Sequence, residues 1–421
     1  MPRYKLYLYY TMYIRSLKPK LFLLMEAIFF LVICIFSKAS YADVTFTSSQ
    51  KTLIKSLTLT KEAIAQQHQK AEPSNQYRHN KWAKKLGKIL FFDVRLSRNH
   101  QISCASCHNF LTGLSDSQTI AQGLGQGSRN TPTLINAFMQ RWYFWDGRAD
   151  SLWLQALGSI ESQVEMDGDW EAIYHVLIND RTLHDLYNKI FIKTPIVNKK
   201  PFLEIDIDRF KTNIAKSIAA FVLDIKQFNS PFDDFADDIQ SNNHYLTLNQ
   251  QRGLQLFLGK ANCITCHFGP NFSDGEFHNI RLISQLSNPK DSGRYGAIAL
   301  LKNNPLNILG EYSDIPTSDT TSKAKTQYLK LSHNTHNHLW AAYKTPTLRN
   351  ITQTAPYMHD GSLHTLEQVI EHYSTFEHAA PNRHKNNSRL LQPLNLTKEE
   401  KSQLVDFLHS LTGTIEVPVY E

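Results

Sequence analysis

The chain has 421 residues, 45 Lys+Arg against 38 Asp+Glu for a net charge of +7, 42% hydrophobic residues and five cysteines. That length exceeds what one hydrophobic core organises and predicts two or three domains. A near-average hydrophobic content with 11% aromatics excludes a mainly disordered, collagen-like or polytopic membrane protein, and five cysteines are too few for a disulfide scaffold.

At the N-terminus, Arg3, Lys5, Arg15, Lys18 and Lys20 precede an apolar run from Leu21 to Phe36. Ser40 and Ala42 then place small residues at the two positions a signal peptidase reads, so residues 1–42 read as a cleaved secretory signal. The run is 16 residues long and holds Glu26, which makes it short and costly as a permanent membrane span; an uncleaved anchor is the alternative. Cys34 lies in this segment and leaves with it. Removing residues 1–42 takes away six Lys/Arg and one Glu, leaving 39 basic and 37 acidic residues and a net charge of only +2. No basic stripe with interleaved aromatics remains, so the composition gives no support for nucleic-acid binding.

The four remaining cysteines fall as Cys104-Ala105-Ser106-Cys107-His108 and Cys263-Ile264-Thr265-Cys266-His267. Each is the C-x-x-C-H pattern of c-type haem attachment: two thiols on one turn add to the haem vinyl groups, and the adjacent imidazole becomes an axial iron ligand. A joint zinc site of four thiolates would leave both histidines unexplained, and a thioredoxin-like motif would need a βαβ context that the flanking sequence lacks.

Upstream of each motif lies a short amphipathic helical pattern, Leu86–Phe91 before the first and Arg252–Phe257 before the second, which suggests an internal duplication. Helical patterns recur at Lys211–Lys226 and Thr397–Leu411, and no β-branched alternating run stands out. The predicted fold is mainly α: two cytochrome c-like domains, residues 43–228 and 244–421, each with one haem. The acidic, proline-containing stretch Asn229–Asn243 is the expected linker. Near the C-terminus Thr365 and Gln368 read as a capping box, followed by Leu366, Val369, Ile370 and Tyr373 on one helical stripe. This stripe predicts Tyr373 to be buried, and His372, about 100° around the helix, to be exposed.

The chain resembles the bacterial di-haem cytochrome c peroxidases and the related MauG enzymes. The resemblance runs from Leu86-Gly87-Lys88 through Phe91–Ser97, Ser103–His108, Arg129–Pro132, Trp145–Arg148 and Glu165-Met166. It continues through the second haem motif, Lys344–Asn350 and Ala355–Ser362. It implies that the haem on His108 is the peroxide site, with Glu165 as acid-base carboxylate and Gln155 as distal amide. One poised carboxylate can both accept a proton from peroxide and return it to the departing oxygen. The resemblance also implies that Trp145 lies between the haems and can relay an electron, and that Asn130, Thr354 and Pro356 bind one calcium ion through an amide oxygen and two backbone carbonyls.

Two positions separate the branches of the family. Conventional peroxidases cap the oxidised peroxide haem with a loop histidine; the aligned residue here is Leu124, which cannot ligate iron, so the site should be open when ferric. The far ligand of the His267 haem is Met in those enzymes and Tyr in MauG. Here the candidates are Tyr373 and Met358, and the helical stripe favours Tyr373, whose phenolate would favour oxidised iron.

The resulting expectation is a periplasmic enzyme in which peroxide generates a high-valent di-haem state that oxidises a partner, including protein side chains. The alternatives are peroxide reduction with electrons from a small cytochrome c, and a non-catalytic di-haem electron carrier. Two departures stand out: Ser159 replaces the family's usual proline near the distal pocket, and Leu301–Leu339 is an unmatched polar segment whose His333, His336 and His338 form a cluster able to bind a metal, with a solvated loop as the favoured reading.

Overall fold

The structure, a computed structural model, describes residues 44–191, 204–241, 244–282, 291–316, 339–377 and 391–420. The expected signal segment up to Ala42 and the three histidines His333, His336 and His338 lie outside these residues. The first half contains α1 (Ser48–Ser56), α2 (Lys61–Lys70), α3 (Lys81–Phe92) and the single turn α4 (Cys104–Cys107). After a long loop come α5 (Leu152–Glu161), α6 (Trp170–Asn179), α7 (Arg181–Ile190), α8 (Glu204–Val222) and strand β1 (Lys226–Phe228). The second half contains α9 (Pro231–Asp237), α10 (Leu248–Leu258), β2 (Phe277–His278), α11 (Arg294–Asn303) and β3 (Tyr343–Lys344). It ends with α12 (Leu366–Thr375), α13 (Lys398–His409) and β4 (Thr414–Glu416). The fold is mainly helical; the described strands form two short antiparallel pairs, β1 with β4 and β2 with β3.

The duplication read from the sequence has a direct structural counterpart. In the first half α3 crosses α8 at Gly87, where an added Cβ would lie 1.9 Å from the Ser217 carbonyl oxygen. One turn later Phe91 meets Phe221 with ring centroids 5.2 Å apart. In the second half α10 crosses α13 at Gly253, whose Cβ would lie 1.9 Å from the Gln403 carbonyl oxygen, and Phe257 meets Phe407 at 5.2 Å. Glycine costs a helix about 1 kcal/mol relative to alanine. Both crossings tolerate that cost because only a residue without a side chain lets the backbones approach so closely.

Each crossing belongs to its own hydrophobic core. The cores do not divide the chain cleanly, and residues 46–421 form one compact unit. Ile54 and Leu57 of the N-terminal segment are buried in the second core, whereas Ile415, Val417 and Tyr420 at the C-terminus pack against the first. Leu301 and Leu306 also belong to the first core, and Lys216 of α8 binds Asp314 at 2.6 Å. Within residues 301–316 of the unmatched segment, Leu301, Leu306, Asn307 and Ile308 are buried, while Lys302, Asn303 and Leu309 are exposed.

The stretch expected to be a linker, 229–243, contains α9, with Phe232, Phe235 and Ala236 buried in the second core. Its acids misled the compositional reading. Asp233 is buried because Arg349, fully buried itself, binds it through both terminal nitrogens at 2.6 and 2.9 Å.

Candidate functional site

The two C-x-x-C-H motifs are built alike. Cys104 and Cys107 bracket the turn α4, and Cys263 starts a 3₁₀ turn of its own. His108 Nδ1 lies 3.0 Å from the Leu114 carbonyl, and His267 Nδ1 lies 2.8 Å from the Phe272 carbonyl. A carbonyl only accepts, so Nδ1 carries the proton in both rings and Nε2 keeps a free lone pair for a metal. Burial pushes the pKa of both histidines down and keeps the rings neutral, as ligation requires. The four thiols line two different cavities, Cys104 and Cys107 one and Cys263 and Cys266 the other, so no four-thiolate zinc site forms.

The cavity of the first motif holds the expected acid and amide. Helix α5 starts at the Ser151 cap and carries Gln155 and Ser159 one turn apart, with Gln155 Nε2 donating to Ser159 Oγ at 3.1 Å. Glu165 follows in the turn beyond the helix, and it, Gln155, Ser159 and Met166 all line the cavity with His108. Burial pushes the Glu165 carboxyl up; hydrogen bonds from Ser159 and Ser162 and the Arg148 guanidinium oppose this, and the net shift is upward. Sequence reading named Glu165 and Gln155, recorded Arg148 only as part of the Trp145–Arg148 motif and Ser159 only as a departure, and did not single out Ser162. Leu124 sits in a loop fixed by backbone bonds, its N–H donating to the Glu165 carbonyl at 2.9 Å, and it is not among the residues lining this cavity.

The second cavity is larger and reaches from His267 to residues of the first half. Tyr373 lines it, as do Met358, Val369 and Ile370. Helix α12 starts at Thr365 with the capping box to Gln368 in place. Burial, followed by the nearby Cys263 and Cys266, drives the Tyr373 phenol well up. His372, expected to be exposed, is half-buried, with Nε2 3.1 Å from the Ile280 carbonyl. The loop at 280–281 covers that face of the helix end, where Arg281 also lies over the Phe376 ring.

Trp145 joins the halves. Its Nε1 donates to the Asn130 carbonyl at 2.8 Å, and its own carbonyl accepts from Lys344 N at 2.8 Å. Asn130, Thr354 and Pro356 line the same cavity as Trp145, and Asn130 N donates to the His359 carbonyl at 2.9 Å. The loop carrying Thr354 and Pro356 is thus bound to the strip carrying Asn130. The Asn130 Nδ2 donates to the Gln118 carbonyl at 2.8 Å, which fixes the orientation of its amide.

The Lys344–Asn350 motif proves to be a clamp. Thr347 Oγ1 donates to the Asn271 carbonyl at 2.8 Å and Arg349 Nε to the Pro270 carbonyl at 2.9 Å, which holds the loop whose Phe272 orients His267. Lys344 faces the cavity with Nζ bonded to Gln140 Oε1 and, at 3.0 Å, to the Trp142 carbonyl. Neither acceptor is charged, so burial pushes this ammonium down to about 7. Sequence reading recognised the motif but not this buried cation. Cys266, Asp274 and His278 also gather their ligand atoms within 4.8 Å of one another. Cys266 belongs to the haem motif, and Asp274 and His278 already pair at 2.7 Å, so this group makes no separate metal site.

The family described as di-haem cytochrome c peroxidase matches residues 81–241. Cytochrome-c peroxidase IdrP2 of Denitromonas iodatirespirans is 31% identical over 333 residues, covering 78% of this chain and 81% of that protein. This chain belongs to the di-haem cytochrome c peroxidase family. Methylamine utilization protein MauG of Methylorubrum extorquens is 30% identical over 328 residues, covering 77% of each chain. Cytochrome c551 peroxidase of Nitrosomonas europaea is 31% identical over 332 residues, 78% of this chain and 79% of that one. The crystal structure of a MauG-like protein associated with microbial copper homeostasis superposes with a TM-score of 0.59 at 25% identity, covering 79% of this chain and 89% of that one. The di-haem peroxidase is therefore an oxidoreductase that acts on peroxide and carries two c-type haems, with the mainly helical architecture read from its sequence. Among the described residues, no helix is long and apolar enough to cross a membrane.

Proposed function

We propose that this di-haem peroxidase acts in the periplasm, after cleavage of its signal, in the MauG-like manner, withdrawing electrons from a partner that includes protein side chains. The observation that carries this reading is the asymmetry of two otherwise matched pockets. An acid and an amide, Glu165 and Gln155, share the cavity of His108, whereas a phenol, Tyr373, shares that of His267.

Cys104, Cys107 and His108 would hold one haem, and Cys263, Cys266, His267 and Tyr373 the other. When bound, the haem iron supplies the redox and Lewis-acid centre at which the peroxide O–O bond is cleaved. The protein supplies the proton traffic. Glu165 accepts a proton from one peroxide oxygen and returns it to the departing oxygen, while the Gln155 amide orients the substrate. Each hydrogen peroxide takes up two electrons and two protons and leaves as two waters. With Leu124 in the loop where conventional relatives carry a histidine, no side chain there competes for iron, and the oxidised enzyme is ready for peroxide.

Trp145 lies in the cavity that spans both halves, so its indole can pass electrons between the two centres. The Tyr373 phenolate favours oxidised iron, suiting the His267 site to hold an oxidising equivalent rather than to accept electrons from a small cytochrome c. The Lys344 ammonium, buried between neutral acceptors, suits a haem carboxylate as its counter-charge. Asn130, Thr354 and Pro356 supply hard oxygen donors for one calcium ion, with water completing the shell.

The second reading, peroxide reduction at the expense of a small cytochrome c, is favoured by the relatives named cytochrome c peroxidases. Steady-state assays separate the two. Slow oxidation of reduced cytochrome c, with peroxide-dependent oxidation of an exported protein's Trp or Tyr, is the expected result; rapid turnover of cytochrome c supports the second reading. The Tyr373→Phe variant should alter the spectrum of one haem only, and an unchanged spectrum removes Tyr373 as a ligand.

A further inference from the structure

Trp142 and Trp145 lie on one strip of chain, and the charges around them differ. Trp142 is 3% exposed, and its carbonyl accepts from Lys344 Nζ at 3.0 Å, which places it directly behind the wall of the cavity that Trp145 shares with His267. Two guanidiniums lie over its ring, with their central carbons 4.4 Å (Arg294) and 5.1 Å (Arg141) from the centroid. Among the described residues no arginine or lysine lies over the ring of Trp145, which meets His359 edge-on at 6.5 Å.

Arg294 is held firmly in this place. It opens α11 and is itself 3% exposed, with its guanidinium between Trp142 and Phe277, 4.1 Å from the Phe277 centroid. Its Nη1 donates to the Gly147 carbonyl at 2.6 Å and the Asp146 carbonyl at 3.2 Å. A Cβ on Gly147 would lie 2.6 Å from that nitrogen, so the glycine leaves room for the cation. Burial pushes the guanidinium down to about 10, which leaves it charged at neutral pH.

A neutral indole is attracted by a cation over its face. An indole that has given up an electron carries positive charge itself, and the attraction becomes repulsion. At the effective dielectric of a protein interior, one cation at such a distance makes the oxidised ring about a hundredfold harder to form. Asp146, the first counter-charge to Arg294, is already bound by Arg129 at 2.7 Å and Arg148 at 3.1 Å, so it offsets only part of this.

We propose that Arg294, helped by Arg141, guards Trp142 against oxidation and so confines the oxidising equivalent delivered by peroxide to Trp145. The proposal rests on the reading of Trp145 as the electron relay. An unguarded Trp142 would give up two electrons and two protons and take its new oxygen from water. The electrons and protons complete the reduction of one hydrogen peroxide to two waters, so the indole ends with one added oxygen and one net water is released.

The test treats the holoenzyme with excess hydrogen peroxide in the absence of an electron donor and reads the added oxygen at each tryptophan by peptide mass spectrometry. Wild type should leave Trp142 intact, and R294M should raise its oxidation at least about tenfold. R294K keeps a cation in the slot and should stay near wild type, and R294M/W142F should lose the new modification. Trp153, fully buried in the first core, reports whether the substitution has merely loosened the protein. A gain at Trp142 with Trp153 untouched supports the guard.

Trp142 oxidised no more in R294M than in wild type, with peroxide consumed in both, overturns it. If R294M exposes Trp153 equally, R141M at the half-buried Arg141 decides: a selective gain at Trp142 supports the guard and none overturns it. W145F tests the underlying reading separately. If it oxidises a partner as fast as wild type, the relay reading fails, and the oxidation of Trp142 in R294M still decides on the guard.

Discussion

Arg349→Met is the substitution whose consequences the structure defines most fully. The guanidinium is fully buried and binds both Asp233 oxygens, at 2.6 and 2.9 Å. It also donates to the Leu57 carbonyl at 2.9 Å, the Pro270 carbonyl at 2.9 Å and Ser230 Oγ at 3.2 Å. Methionine fills much of the volume but leaves Asp233 as a buried carboxylate without its cation and two carbonyls without their donor. Breaking a buried ion pair from one side costs about 3–5 kcal/mol, so a loss of about 4 kcal/mol is expected. Arg349→Lys keeps the charge but cannot span the fork, and should lose about half as much. The damage should be local to one haem, because Pro270 belongs to the loop whose Phe272 carbonyl orients His267. Urea denaturation of the holoenzyme measures the first effect, and the separate spectra of the two haems measure the second. A loss below about 1 kcal/mol with an unchanged spectrum of the His267 haem would refute the clamp.

Gly253→Ala and Gly87→Ala should each cost about 3 kcal/mol in denaturation experiments, since each new Cβ would lie 1.9 Å from a backbone oxygen of the crossing helix. Because the two crossings lie in different cores, the double variant should lose about the sum, and strong non-additivity would contradict the two-core description. Glu72→Gln tests a buried acid outside the site: burial pushes the Glu72 carboxyl up to about 7 from 4.5, while its Oε1 accepts from Leu152 N at 2.9 Å. A carboxyl whose folded pKa exceeds its unfolded pKa contributes stability that is present below the unfolded value and lost as pH rises through the folded one. The wild type should therefore weaken between pH 5 and 8 by up to about 3 kcal/mol relative to the glutamine variant; parallel stability profiles would show that Glu72 ionises without cost.

What was legible in the sequence had local signatures. The two C-x-x-C-H motifs, the helices before them and the Thr365–Gln368 capping box each depend on residues within a few positions of one another, and the structure forms them as read. What escaped depends on partners far along the chain. Asp233 looked like a linker acid because the arginine that buries it is 116 residues away. Ile54 and Leu57 carry no sign that they belong to the second core, and Ile415 none that it packs on the first. His372 sits on the face its periodicity gives, but a loop folded back over that face half-buries it. Within the site, Glu165 and Gln155 were named through resemblance, whereas Lys344 acquired meaning only from geometry. A lysine between neutral acceptors has no sequence pattern of its own.

The pocket asymmetry makes one demand that needs no knowledge of the partner. The fully oxidised holoenzyme, mixed with one equivalent of hydrogen peroxide in a stopped-flow spectrometer, should react at once without prior reduction, because Leu124 cannot cap the peroxide haem. Spectral silence until one electron is added would contradict the account and restore the conventional, reductively activated peroxidase in its place.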